Sequence, residues 1–285
     1  MHGAAKATLM SSSPTRPVPI QELPVPTREQ FLGEIVPAGR PAVFRGLALS
    51  WPLVTAARLD AHRAMVMLSA QASGRVTAAV LRAEFEEEGR FHYKSDSFEL
   101  NFIRGHGNIA GVIAALFELE NDPRPFAIAA QGLLTHEHVP GFTGSHPMPL
   151  LSPGARPRVW IGNALKVATH NDPIENVAVV AVGRRRFTIF PPEAEANLYL
   201  GPEEPTPAGV RISMVHVTAP DFERYPLYAK ALEEAQEVEL VPGDAIFIPR
   251  EWWHHVESLE KMNVLVNYWW DAGKDGAHAS GESQS

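Results

Sequence analysis

VWIGNALKVATHNDPIENVAVVAVGRRRFTIFPP, residues 159–192, and VELVPGDAIFIPREWWHHVESLEKMNVLVNYWW, residues 238–270, decide the fold class. Short apolar runs alternate there with turn signals: RVWIG from 158, NVAVVAV from 176, RFTIF from 186, EVELV from 237, AIFIP from 245 and NVLVNYWW from 263. Each run has strand length, and Gly and Pro clusters separate them. This spacing predicts a β-sandwich or barrel and not a series of βαβ units. Residues 192–235 interrupt the strands as an insertion, and its end, YPLYAKALEEAQ (225–236), reads as helical.

Upstream of the barrel the pattern is mixed. Thr27 and Gln30 form a capping box that opens a short helix, TREQFLGEI, at 27–35. Val43 and Phe44 begin an extended run that Gly46 ends. Apolar positions at three- and four-residue spacing predict helices over 57–69, 77–88 and 108–119. Tyr93 to Ile103 reads as extended. The prediction is therefore a mainly β protein with N-terminal helices, a barrel core over about 125–270 and a helical insertion. All of it belongs to one domain spanning 17–270. Residues 1–16 and 271–285 have almost nothing to bury and are expected to be disordered tails.

Composition narrows the chemistry. The 285 residues are 45% apolar and 20% charged, the balance of a globular domain that can bury a sizeable core. The absence of cysteine excludes disulfides, thiolate zinc sites, iron–sulfur clusters and cysteine nucleophiles. A transition metal must be held by Asp, Glu or some of the 12 His. The net charge of −8 excludes a broadly basic nucleic-acid footprint, so nucleic acid is not an expected partner. No run has the unbroken apolar length of a membrane helix, and the N-terminal segment lacks the apolar core of a signal peptide. A cytoplasmic location is expected.

The sharpest chemical signal is THNDP at 169–173. In an extended segment, residues two apart point to one side, so His170 and Asp172 can reach one ion together. The third ligand is expected from PGDAIFIPREWWHHVES (242–258), at His254 or His255. Two His and one carboxylate form the facial triad of non-haem Fe(II) oxygenases, which leaves positions open for a 2-oxo acid and O₂. Other motifs carry less. His136 and His138 also stand two apart, but in an expected loop with no third ligand, as a surface pair. The Gly-containing stretch Arg104–Gly107 lacks the glycine of a nucleotide loop, since position 110 is Ala110. No G-x-S-x-G elbow is present, and EFEEEG at 84–89 is a solvated helix end.

In combination, the order H-x-D, F-P-P, PGD, WWHH-x-E-S and N-x-W, with PAVFRG at 41–46, resembles the JmjC and cupin-like hydroxylases, among them the asparaginyl hydroxylases. The resemblance covers about residues 17–270. It implies a double-stranded β-helix, or jelly-roll barrel, that binds Fe(II) and uses 2-oxoglutarate and O₂ as co-substrates. It implies His170, Asp172 and His254 as the metal ligands, with His255 packing beside them. Asn176 and Asn267 would line the co-substrate pocket, with Trp269 beside it. Arg185 stands where the family has a lysine for the distal carboxylate, and Arg184 and Arg186 would then point the other way. The family's partner tyrosine is missing from PFAIAAQGL (125–133); Tyr93 is the candidate to replace it. The substrate implied is an amino-acid side chain of a protein, without its identity. Two alternatives stand: a metal-dependent cupin enzyme that does not use 2-oxoglutarate, and a cupin that binds a small molecule without catalysis. The oligomeric state is left open.

Overall fold

The computed structural model describes residues 16–272 apart from 96, 153 and 208, so the expected tails lie almost wholly outside the described residues. Eight strands build the centre: β1 (Pro157–Gly162), β2 (Lys166–Asn171), β3 (Glu175–Val182), β4 (Arg185–Phe190), β5 (Gln236–Leu240), β6 (Ala245–Ile248), β7 (Trp253–Ser258) and β8 (Asn263–Trp270). They form two facing antiparallel sheets, ordered β6-β3-β8-β1 and β5-β4-β7-β2. This is the jelly roll that the strand spacing and the resemblance lead one to expect. Short N-terminal strands extend both sheets. Val18–Pro19 joins β5, Ala42–Phe44 joins β6, and Ala127–Leu134 joins β1.

Three apolar clusters hold these layers. Between the sheets lie Ala178, Val180, Phe187, Ile189, Val238, Leu240, Ile246, Ile248, Val256 and Leu265. On the outer face of the larger sheet, Val177, Val179, Phe247, Val266 and Tyr268 pack against N-terminal helices through Phe31, Trp51, Leu53, Met65 and Ile113. The insertion covers the smaller sheet through Phe190, Ala194, Leu198, Tyr228, Ala231 and Trp253. Strand β3 is thus buried on both faces along its whole length, which is why NVAVVAV is continuously apolar and does not alternate. No helix among the described residues is long and apolar enough to cross a membrane.

Turns set the register. Gly183 has φ +78° between β3 and β4, a conformation that L side chains avoid. Asp244 closes the turn before β6, its carboxylate accepting from the backbone N–H groups of Gly46 and Val241 and pairing with Arg45 at 2.7 Å.

Three expectations upstream need correction. Residues 77–88 are not a helix: Ala78–Ala83 is a strand between Ile103–Gly107 and Ala127–Leu134, followed by a 3₁₀ turn at Phe85–Glu87. Ladder bonds on both sides and burial of Leu81 and Ala83 outweigh the helical spacing of its apolar residues. Tyr93–Ile103 is mostly loop, tied by one bridge between Tyr93 and Leu100; the strand starts only at Ile103. The 57–69 segment divides into two helices, Pro52–Leu59 and Ala61–Gln71. Asp60 ends the first in extended backbone and caps the second by accepting from the His62 N–H. The capping box at Thr27 and Gln30 and the helix at Ile109–Leu119 form as expected.

Candidate metal centre and co-substrate pocket

His170 ends β2 and His254 opens β7, and the two are direct partners across the ladder. Direct partners share a face, and their rings lie 4.3 Å apart between centroids. Asp172 follows two residues after His170, its Oδ2 3.8 Å from His254 Nε2. One potential ligand atom from each of the three lies within 4.8 Å of the others, the only such group among the described residues. Backbone contacts hold this corner. The Glu251 N–H donates to the Asp172 carbonyl at 2.8 Å, and Glu175 accepts from the Arg250 N–H at 3.0 Å. Glu251 adopts φ +67° there, a left-handed turn that a non-glycine residue keeps only where its surroundings impose it.

The surroundings also select the right tautomers. His170 Nδ1 donates to the Ala168 carbonyl at 2.8 Å, and His254 Nδ1 donates to the Trp252 carbonyl at 3.1 Å. Carbonyls can only accept, so in the neutral form of each ring Nε2 carries the lone pair. Burial pushes the His254 pKa down to about 4, helped by neighbouring His170 and opposed by Asp172. A neutral imidazole is the form that binds metal. The Asp172 carboxylate is oriented in turn. Asn176 Nδ2 donates to its Oδ2 at 3.0 Å, and Asn267 Nδ2 donates to Asn176 Oδ1 at 2.8 Å. Both asparagines are buried. The donor set fits a divalent transition metal of the Fe(II) type.

Deeper in the barrel, the alternation of β4 carries Arg185 inward with Phe187 and Ile189. Arg184 and Arg186 turn outward and pair with Glu239, Glu260 and Glu257. Arg185 is 4% exposed, and its guanidinium has no hydrogen bond or ion pair among the described residues. Burial pushes its pKa down to about 10. A buried charge without a counter-ion is costly, and an incoming carboxylate would offset that cost.

The residue directly opposite Arg185 is Ser258 on β7, whose buried hydroxyl also lacks a partner. Reading the sequence for ligands alone missed Ser258. The signal was the alternation 254, 256, 258, which puts it on the face of His254. The Tyr93 hydroxyl donates to the Pro205 carbonyl in the insertion at 2.8 Å. Trp269 stands opposite Asn176 on the inner face, edge-on to Trp160 with centroids 5.9 Å apart.

His255 faces away from this interior, buried and held neutral with a pKa pushed to about 3, a packing residue. His138 is buried, its Nδ1 donating to the Leu134 carbonyl, and His136 lies 3.5 Å from Glu137. Neither belongs to a three-residue metal group among the described residues.

Comparison with known proteins bears on the family. The chain is 27% identical to lysine-specific demethylase JMJ31 of Arabidopsis thaliana over 267 residues, covering 81% of this chain and 46% of that protein. It is 35% identical to human HSPB1-associated protein 1 over 124 residues, 43% of this chain and 25% of the other. It is 36% identical to chicken tRNA wybutosine-synthesizing protein 5 over 106 residues, 37% of this chain and 30% of the other. In each case the match spans less than half the length of the relative. The profile of the cupin-like domain matches residues 28–276, and with nearly the whole described chain inside that match, the protein belongs to the cupin-like, JmjC-type family.

Proposed function

We propose that the protein is an Fe(II)- and 2-oxoglutarate-dependent hydroxylase. In this reading His170, Asp172 and His254 hold the metal. Arg185 and Ser258 hold the distal carboxylate of 2-oxoglutarate, and Asn176, Asn267 and Trp269 shape the pocket between. Bound Fe(II) supplies the oxidising chemistry: O₂ converts 2-oxoglutarate to succinate and CO₂ and a substrate C–H bond is hydroxylated. The chain's own residues do the rest. The two Nδ1–H bonds present both imidazole lone pairs to one point. Asn176 fixes the rotation of the Asp172 carboxylate. The apolar lining between the sheets keeps water from the reacting atoms. The observation that carries the reading is Arg185, a buried guanidinium without a partner on the inner wall that also bears His254.

A protein side chain is the proposed substrate. The demethylase in the name of the Arabidopsis relative would use the same oxidation on an N-methyl group. The test is anaerobic addition of Fe(II) and 2-oxoglutarate, following the visible metal-to-ligand absorption, then exposure to O₂ with succinate assayed. The band should appear, vanish in Asp172→Ala, and be followed by succinate. Iron bound with neither band nor succinate would sink the 2-oxoglutarate reading.

A further inference from the structure

A groove of about 990 Å³ opens over the barrel rim next to the metal centre. None of the triad lines it. Its lining includes Ile174, two residues beyond Asp172, and Trp269, which stands opposite Asn176. Its walls carry Arg28, Arg156 and Arg158, against one acid, Glu137, which already lies beside His136. Arg28 and Arg156 are exposed and form no ion pair among the described residues. Arg158 spreads its guanidinium 5.3 Å over the Trp269 ring and has no acidic partner there either. Seven other arginines of this acidic chain, Arg45, Arg82, Arg90, Arg124, Arg184, Arg186 and Arg250, form ion pairs with carboxylates. Three arginines against one acid in the lining are a local reversal of sign in a chain of net charge −8.

We propose that this groove binds an acidic peptide segment and delivers one of its residues to the metal centre. The role as substrate rests on the oxygenase reading; the binding does not. The volume lies at the upper limit of what small ligands fill, leaving room for a segment of chain. Unpaired guanidiniums select carboxylates by paired N–H donors. Between them the lining is apolar, at Leu32 and Ile174 among others, which suits the alternating side chains of a peptide. A nucleic acid fits less well. Its regular phosphates need a continuous basic track, and the chain carries a net −8. The same arginines disfavour a cationic methyl-lysine segment.

The test uses the full chain and three fluorescein-labelled probes read by anisotropy. One is a twelve-residue peptide of Glu, Leu, Ala and Gly; the second has Lys in place of each Glu; the third is a twelve-nucleotide oligothymidylate. The Glu peptide should bind at least tenfold more tightly than the Lys peptide. The Arg28→Glu/Arg156→Glu variant should weaken it by tenfold or more, with an unchanged circular dichroism spectrum and Tm. Equal binding of both peptides, an unaffected double variant, or tighter binding of the oligonucleotide would overturn the proposal. The anaerobic absorption band of the unsubstituted protein separates the two readings. A band without charge-selective peptide binding removes the groove's role alone. Selective binding without a band removes the oxygenase reading and leaves the groove standing.

Discussion

Arg185 stands at a position where a cation is expensive to keep. Burial alone accounts for its depressed pKa, and no acid among the described residues offsets it. Its neutral replacement should therefore make the empty protein more stable. Arg185→Met is expected to raise Tm by about 2–4 °C, on the order of 1 kcal/mol for a domain of this size. The same variant should lose the rise in Tm that 2-oxoglutarate gives the unsubstituted protein. A thermal scan with and without the co-substrate reads both effects, and a destabilised Arg185→Met that still responds to 2-oxoglutarate would remove Arg185 from the pocket. Asn176 makes a complementary case. It touches Asp172 through a single 3.0 Å bond and is itself held by Asn267. Supporting residues of this kind typically change metal affinity by about 10–100-fold. Asn176→Ala should therefore weaken Fe(II) binding by that amount, measured by anaerobic titration, while Asp172→Ala abolishes it.

At the scale of elements, the Asp244 turn joins the N-terminal segment to the barrel. Its carboxylate serves two backbone N–H groups and the Arg45 guanidinium. Asp244→Ala strands the two backbone donors, while Arg45 keeps Glu22 at 2.6 Å, and hydrogen bonds to a charged group contribute roughly 1.5–3 kcal/mol each at most. A loss of about 2–4 kcal/mol is expected from urea denaturation. This turn was legible in PGD, as were six of the eight barrel strands; Lys166–Asn171 and Trp253–Ser258 were not among the apolar runs. Strand length, flanking Gly and Pro, and burial of both faces agree there. Legibility failed where long-range pairing decides. Residues 78–83 have helical spacing, yet two neighbouring strands supply their ladder bonds. No local pattern announces partners more than twenty residues away. The candidate ligands were singled out because H-x-D and WWHH are each compact motifs lying near a strand end. Arg185 needed the resemblance to be singled out, and the alternation of β4 then explains its orientation. Ser258 became visible only once the β4–β7 register was known.

For the whole molecule, the question is whether the metal is needed for the fold or only for the chemistry. Three apolar clusters, between the sheets and on both outer faces, hold the layers without any contribution from His170, Asp172 or His254. The triad lies at one corner, fixed by hydrogen bonds to backbone carbonyls in which no ion takes part. A preformed site binds metal without folding around it, unlike a zinc finger, where the ion is the core. Metal removal should therefore leave far-ultraviolet circular dichroism unchanged and a single cooperative thermal transition. The Tm should fall only by the binding linkage, about 2.7 kcal/mol at a free metal concentration one hundred times Kd. For a domain of this size that is about 5–11 °C. The fall should reverse on adding Fe(II) anaerobically and should be absent in Asp172→Ala. Loss of the cooperative transition on chelation would mean that the barrel corner is assembled by the ion, and that the hydrogen-bonded tautomers of His170 and His254 are not enough to hold it.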